Sequence, residues 1–519
     1  MIFRLIAGLA ACLALAAGAD GKVFRLASQV DPGTMDPDAI ASLYHTRILS
    51  QIYEPLVGRD EHFKLEGRLA VSWTMVEPRV WRFKLRPNVK FHDGTPFTAD
   101  DVVFSIERSL DPKSAQRTTY PNVTGARKVD ALTVDILTSK PTPVLPRALT
   151  NSRIMSKAWC IAHHVEKPLD FKAKEETFAS RNANGTGPYM LKSWEPDVKT
   201  VLVANPSYYG RHGNVTEADY LVVAQAATRL AGLVSGDLDF VIDAGVQDFD
   251  RLKSTPGIAL GTSEGTGANW LGFDYGHDTL VHGDAGGKNP FKDQRVREAV
   301  RHAIDLKAIQ AKVMRGYSSY GSAMCTPVVD GWDKRFDHAF PYDPEKSREL
   351  LKAAGYPNGF AVDLDCSAQA PADQVCQAVS GMLAHVGIRV SYHPLTFNVL
   401  LPKITSRDTS MYAIGWTPAS VDAEGVLLPL VHTPTEPGVG DYNFGRYSNP
   451  KVDALIDGAR VELDADKRRA MLLEALTIID QESAFIPLMY RRIVWVMRKG
   501  IHTPIAPNDI VELRFVNID

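Results

Sequence analysis

The sequence predicts an α/β fold, and three observations carry that reading. From residue 189 onward, strand, loop and helix patterns alternate, the order that packs helices against a largely parallel sheet. Residues 80–108 form a compact strand–turn–helix unit whose local signals agree with one another. Residues 293–315 carry Val296, Ala299, Val300, Ala303, Ile304, Ile309 and Val313 at the spacing of one buried helix face.

The chain has 519 residues, a length that suits two to four domains. Its first residues read as a secretory signal. Arg4 is the positive flank, residues 5–17 the apolar run, and Ala17-Gly18-Ala19 the small-residue cleavage pattern, with the cut expected after Ala19. The run is too short to span a bilayer and is followed at once by Asp20 and Lys22. A formal charge of −3 gives no electrostatic case for a nucleic-acid partner.

Residues 23–27 are a short strand pattern and residues 40–53 a helical one. In residues 80–86, Trp81, Phe83 and Leu85 alternate with Arg82, Lys84 and Arg86, the period of a half-buried strand. Val89 and Phe91 suggest a second short strand leading into the Asp93-Gly94 turn. Thr98 and Asp101 then have capping-box spacing, with Asp in the place usually held by Glu or Gln. Residues 132–137 are a further strand. A polar segment, 175–184, leads to Gly185-Thr186-Gly187-Pro188-Tyr189. Strands follow at 189–194, 200–204, 220–223, 240–242 and 269–273, with a helix at 226–235. Helix–strand units occupy 344–354 with 362–364 and 374–385 with 388–392. Helices 451–462 and 467–482 precede closing strands at 485–489 and 493–497.

Without the signal, four cysteines remain. Cys366 and Cys376 bracket a short loop between a strand and a helix, and export permits a disulfide there. Cys160 and Cys325 read as separate buried thiols. The chain has no Cys-x-x-Cys motif and no phosphate-binding glycine loop. Gly261-Thr262-Ser263-Glu264-Gly265 matches a hydrolase pattern, but a nucleophile elbow needs a helix after the serine. A strand follows instead. His163-His164 lack the i, i+4 spacing of a helical metal pair, and His92 sits in a turn. No cofactor, metal or catalytic residue is expected.

The stretch 80–108, with Trp73 before it, is similar to the family-5 extracellular solute-binding proteins, the dipeptide, oligopeptide, glutathione and nickel receptors of ABC importers. The family's V-K-F-H-D-G and A-D-D-V-V-F-S stand here at Val89–Gly94 and Ala99–Ser105. Gly185 to Tyr189, Asn205-Pro206-Ser207-Tyr208-Tyr209, RVREAVRHAID (295–305), Gly415-Trp416 and YSNPKVDAL (447–455) resemble further family segments in order. The resemblance implies a two-lobed periplasmic-binding-protein fold (type II, cluster C) with an extra third domain. Domain I would comprise 20–55, 184–274 and 485–519; domain II, 56–183; domain III, 275–484. Crossing segments near 266–274 and 482–487 would form the hinge. The implied protein is a monomeric periplasmic receptor. It delivers a peptide or peptide-like solute to ABC transporter permease subunits.

In peptide-binding relatives an acid three residues after the Gly-Trp tryptophan pairs with the ligand ammonium. Here that position is Ala419, and the next acid is Asp422, which reads equally as a helix N-cap. This departure leaves open a non-peptide solute such as a nickel chelate, opine or sugar. The resemblance places Tyr44, His45, Thr46, Asn269, Trp270, Trp416, Thr417, Asp422 and Asn443 as candidate ligand contacts.

Overall fold

The structure is a computed structural model, and it describes residues 21–120, 122–436 and 438–519. The signal expected over residues 1–19 lies outside them. Among the described residues no helix is long and apolar enough to cross a membrane.

The fold is mixed α/β, organised on a twelve-stranded sheet. Across it run Gly283–Asp284, Phe360–Ser367, Met411–Trp416, Ile258–Phe273, Ile486–Arg498, Phe240–Val241, Lys22–Ser28, Val215–Val222, Lys199–Ala204 and Tyr189–Glu195. Ile388–Leu395 flanks Phe360–Ser367, and Ser318–Ser319 flanks Ile486–Arg498. The expected largely parallel sheet is corrected here. Lys22–Ser28 pairs in parallel on both sides, as does Phe360–Ser367 with Ile388–Leu395 and Met411–Trp416. Most other pairings are antiparallel, because hairpins and two long crossing strands supply them.

Those crossing strands are Ile258–Phe273 and Ile486–Arg498, paired antiparallel from Ile258↔Arg498 to Leu271↔Ile486. The ladder shifts register between Glu264 and Ala268, whose partners are Arg492 and Tyr490. Residues 265–267 therefore face Arg491 alone, a bulge that bends the ribbon. The two closing strands expected at 485–489 and 493–497 are one strand. Arg491 and Arg492 interrupt the apolar pattern without ending the strand, because Ser318 and Ser319 pair with Arg491 and Tyr490 at that point.

A separate four-stranded antiparallel sheet, in the order Ala70–Glu77, Val80–Leu85, Thr133–Thr138, Val123–Asp130, packs on helix Ala99–Ser109. Phe83, Leu85, Val102, Ile106, Val134 and Ile136 share its core. The helix begins with the expected capping box: Thr98 N–H donates to Asp101 Oδ2 at 2.8 Å, and Asp100 N–H donates to the Thr98 hydroxyl. At its other end Arg108, fully buried, donates to Asp36 at 2.6 Å and Asp38 at 2.6 Å. The second short strand expected at Val89 and Phe91 is only a single bridge between Lys90 and Pro96, although both side chains are buried.

The helix expected over 293–315 is also broken. It runs Gln294–Ala303, Ile304 turns extended, and Asp305 caps a new short helix by accepting from Ala308 N–H at 2.9 Å. An Asp that competes for a backbone N–H restarts a helix rather than continuing it.

The Gly-Thr-Gly segment has a steric cause. A Cβ on Gly185 or Gly187 would overlap the carbonyl oxygens of Gln51 and Ile52. His92 Nε2 lies 3.0 Å from the Gly187 carbonyl, tying the turn after Val89 to this close contact.

Cys366 and Cys376 are joined by a disulfide, and Cys160 and Cys325 are buried free thiols. Protein lacking residues 1–19 is expected to release two thiols in denaturant and four after reduction, by thiol titration. Reduction should lower unfolding stability by about 3 kcal/mol, the loop-closure value for a loop this short.

Candidate ligand-binding cleft

A cleft of about 620 Å³ opens beside the crossing strands. Asn269, Trp416 and Thr417 form one wall; Arg491 and Arg492 come from the facing strand; Tyr44, Asp243 and Asp509 close the other side. Strand alternation explains which residues reach it. Asn269 faces the cleft, so its neighbour Trp270 points away, into a core with Val426, Leu472 and Phe485.

Most charges around this cleft are already matched. Arg492 donates to Glu264 at 3.0 Å. Buried Arg47 bridges Asp509 at 2.6 Å and Asp243 at 3.5 Å. Burial raises the Asp243 carboxyl above its ordinary range, and Arg47 only partly opposes this. Trp416 is held rigidly: its Nε1–H donates to the Gly425 carbonyl at 2.8 Å, and its ring lies 5.0 Å from that of Tyr442. Asn269 Oδ1 is buried with no donor among the described residues. A wall of fixed aromatic surface suits an organic solute.

A second cavity, of about 320 Å³, adjoins the first at Thr417, which lines both. Its lining includes Ser42, His45 and Thr46 from the start of helix Leu43–Ile52, with Thr150, Thr266, Ala419 and Val421 opposite. Ser42 caps this helix by accepting from His45 N–H. The His45 ring is buried, with Nε2 3.1 Å from the Asp36 carbonyl, and burial pushes its pKa down to about 4. Val421 has φ of 54°, an unusual state for a β-branched residue. Asp330 holds it there, donating N–H to the Val421 carbonyl and accepting from Ala423 N–H.

Two arginines also line this cavity, Arg59 and Arg153, only 9% and 8% exposed. Arg59 Nη1 donates to the Phe63 carbonyl at 3.0 Å, and its guanidinium lies 4.3 Å from the Phe63 ring centre. Its Nη2 is buried without a partner among the described residues. Arg153 Nη1 donates to the Ser152 carbonyl at 2.7 Å. Burial pulls each guanidinium pKa down to about 10.

Of the nine expected contacts, Tyr44, Asn269, Trp416 and Thr417 line the larger cavity, and His45, Thr46 and Thr417 the smaller. Trp270, Asp422 and Asn443 line neither. Asp422 is wholly buried and accepts two bonds from Arg468, at 2.7 and 2.8 Å, while its Oδ1 also accepts from Glu424 N–H. Its oxygens are committed to the fold. Asn443 staples a loop, donating to the Val431, His432 and Tyr447 carbonyls. Ser263 lies mid-strand opposite Ile493, and its hydroxyl has no hydrogen-bond partner among the described residues. That is not a nucleophile elbow. His163 stacks on Phe178 at 3.9 Å. Arg59, Arg153 and Arg491 were not legible as site residues, because an arginine beside a turn or in a broken apolar run reads as a solvated charge.

Residues 64–437 match the model for bacterial extracellular solute-binding proteins, family 5 Middle. The chain is 27% identical over 468 residues to the heme-binding protein A of Haemophilus influenzae, covering 85% of this chain and 82% of that one. It is 27% identical over 479 residues to the glutathione-binding protein GsiB of Shigella flexneri, covering 90% and 89%. The periplasmic binding protein DppA of Helicobacter pylori, solved with the peptide STSA, superposes with a TM-score of 0.76 at 23% identity, over 96% of this chain and 98% of that one.

Asp422→Ala is expected to reduce unfolding stability in urea by about 3–5 kcal/mol, since it breaks a buried ion pair; a ligand contact would leave stability unchanged. His45 predicts an acid limb. Its folded pKa lies below its unfolded one, so the unfolded chain takes up a proton that the folded protein refuses between pH 6.5 and about 4. The stability is complete above pH 6.5 and is lost as pH falls toward 4. His45→Asn should flatten that limb by up to about 3 kcal/mol, measured by denaturant unfolding across this range.

Proposed function

Because the chain belongs to the bacterial extracellular solute-binding proteins of family 5, we propose that it is the substrate-binding component of an ABC import system, capturing a peptide or peptide-like solute in an interlobe cleft. The observation that carries this reading is the pair of adjoining cavities flanking two bent crossing strands. Relatives described as glutathione- and heme-binding align over most of the chain, which supports a solute of that size. In this reading domain I comprises 20–55, 184–274 and 485–519, domain II 56–183, and domain III 275–484. The signal is cut after Ala19, and the mature protein works in the periplasm as a monomer, without enzymatic activity, handing its solute to the permease subunits.

The hinge in this reading lies at the bulge, residues 265–267 opposite Arg491. The ligand must favour the closed state for closure to follow binding. Contacts between the accessory region and the far wall add to the stability of this arrangement without a solute: Arg147 donates to Asp330 at 2.5 Å, Asn151 to the Ala419 carbonyl at 3.1 Å, and Lys140 lies 3.5 Å from Glu436.

A second reading, a receptor for a non-peptide solute such as a nickel chelate, opine or sugar, is favoured by Ala419. The acid that would meet a peptide ammonium is absent there, and Asp422 is committed to Arg468. Thermal-shift measurements across di-, tri- and oligopeptides and glutathione separate the two. A stabilising shift by members of this set is expected; no shift by any of them would remove the peptide reading. Native mass spectrometry of protein from its own host would then identify the trapped solute.

A further inference from the structure

The disulfide between Cys366 and Cys376 closes around one wall of the larger cavity. Cys366 stands one residue before the end of strand Phe360–Ser367, and Cys376 lies in the second turn of helix Ala372–Ala384. Between them Ser367, Gln369, Ala370, Pro371 and Ala372 all line the cavity of about 620 Å³. The two cysteines do not; they are buried behind this wall, in a core with Val375, Val379 and Leu383. The strand end of the wall is fixed, because Phe360–Ser367 pairs in parallel with Ile388–Leu395 on one side and Met411–Trp416 on the other. The rest has little to hold it. Ala368, Gln369 and Ala370 are exposed. Among the described residues, one hydrogen bond ties 368–371 to a distant segment, from Ala368 N–H to the Leu395 carbonyl at 2.8 Å. Gln369 N–H turns back to the Ser367 hydroxyl at 3.2 Å, a local bond. The helix that follows starts at Pro371 without a side-chain cap, so its first turn lacks the anchor that Asp, Ser or Thr supplies.

We propose that the Cys366–Cys376 bridge is a positioning element of the solute site: it holds residues 367–372 in place, so that the cavity wall is formed before the solute arrives. A wall that is loose in the free protein must be ordered at binding, and that ordering is subtracted from affinity. The bridge moves the ordering into folding, where, in the chain-entropy picture, a cross-link restricts the unfolded chain. Its effects on stability and on affinity are therefore separable. A bridge that serves stability alone shifts the unfolding midpoint and leaves the affinity of the folded protein unchanged; a positioning bridge changes both. This rests on the receptor reading above.

The test uses protein lacking residues 1–19 and two variants without the bridge, Cys366→Ala/Cys376→Ala and Cys366→Ala/Cys376→Val. The second refills part of the core volume, so an effect common to both belongs to the bridge and not to packing. It also carries the comparison should the first fail to fold. Hydrogen–deuterium exchange without solute is expected to be roughly tenfold faster over residues 367–372 in both variants, with strand Ile388–Leu395 unchanged. Titration calorimetry of the folded variants with glutathione and with trialanine should give affinities roughly ten- to hundredfold weaker than the wild type, the worth of ordering a few loop residues at binding. Wild-type exchange over 367–372 in both variants, or wild-type affinity in both, would overturn the positioning role and leave the receptor reading intact. Absence of binding of either probe to the wild-type protein would count against the peptide reading instead, and the exchange comparison would then decide the role of the bridge alone.

Discussion

The antiparallel pairing of Ile258–Phe273 with Ile486–Arg498 is the constraint on which the molecule depends. These strands supply side chains to four separate cores. Leu271, Phe273, Ile486 and Met489 enter one, Ala268, Trp270 and Tyr490 a second, Ile493, Trp495 and Met497 a third, and Ile258 with Val496 a fourth. A ribbon anchored in so many cores cannot slide, since a one-residue slip would turn every buried side chain to the wrong face. Its ladder is interrupted at residues 265–267 opposite Arg491 and again between Asn269 and Trp270, and both interruptions lie beside the cavities.

Several of the family's sequence motifs are joints between distant segments. Asn205 donates to the Gly187 carbonyl, and Tyr208 and Tyr209 both donate to buried Glu54, which also holds Arg68. Arg297 donates to the Glu482 carbonyl, while Tyr447 and Asn449 donate to the Glu482 carboxylate. Each motif ties segments distant in sequence. Motifs of this kind specify the fold and leave the ligand unspecified, which is how one architecture serves relatives described as heme-binding and glutathione-binding.

Local physics was readable from the sequence, and long-range pairing was not. The capping box at Thr98 and Asp101 involves neighbours, so spacing alone revealed it. The continuity of the last strand through Arg491-Arg492 was missed because its partners Ser318 and Ser319 lie far away in the chain, whereas the helix break at Asp305 is a local cap masked by the apolar period around it. The candidate site divides the same way. Tyr44, His45, Thr46, Asn269, Trp416 and Thr417 occupy the cavities because their positions follow from strand and helix placement. Asp422 and Asn443 do not, because the arginine and carbonyl groups that consume their hydrogen bonds come from other segments. Arg59 and Arg153 gave no sequence signal, because their place in a cavity lining is a property only the assembled fold possesses.

The central claim is that a solute is held in the cavities beside the crossing strands, on either side of Thr417. A crystal structure of the protein purified from its own host tests this most directly. Density is expected for a small solute against the Trp416 wall, beside residues 265–267. A solute bound outside both cavities would contradict it.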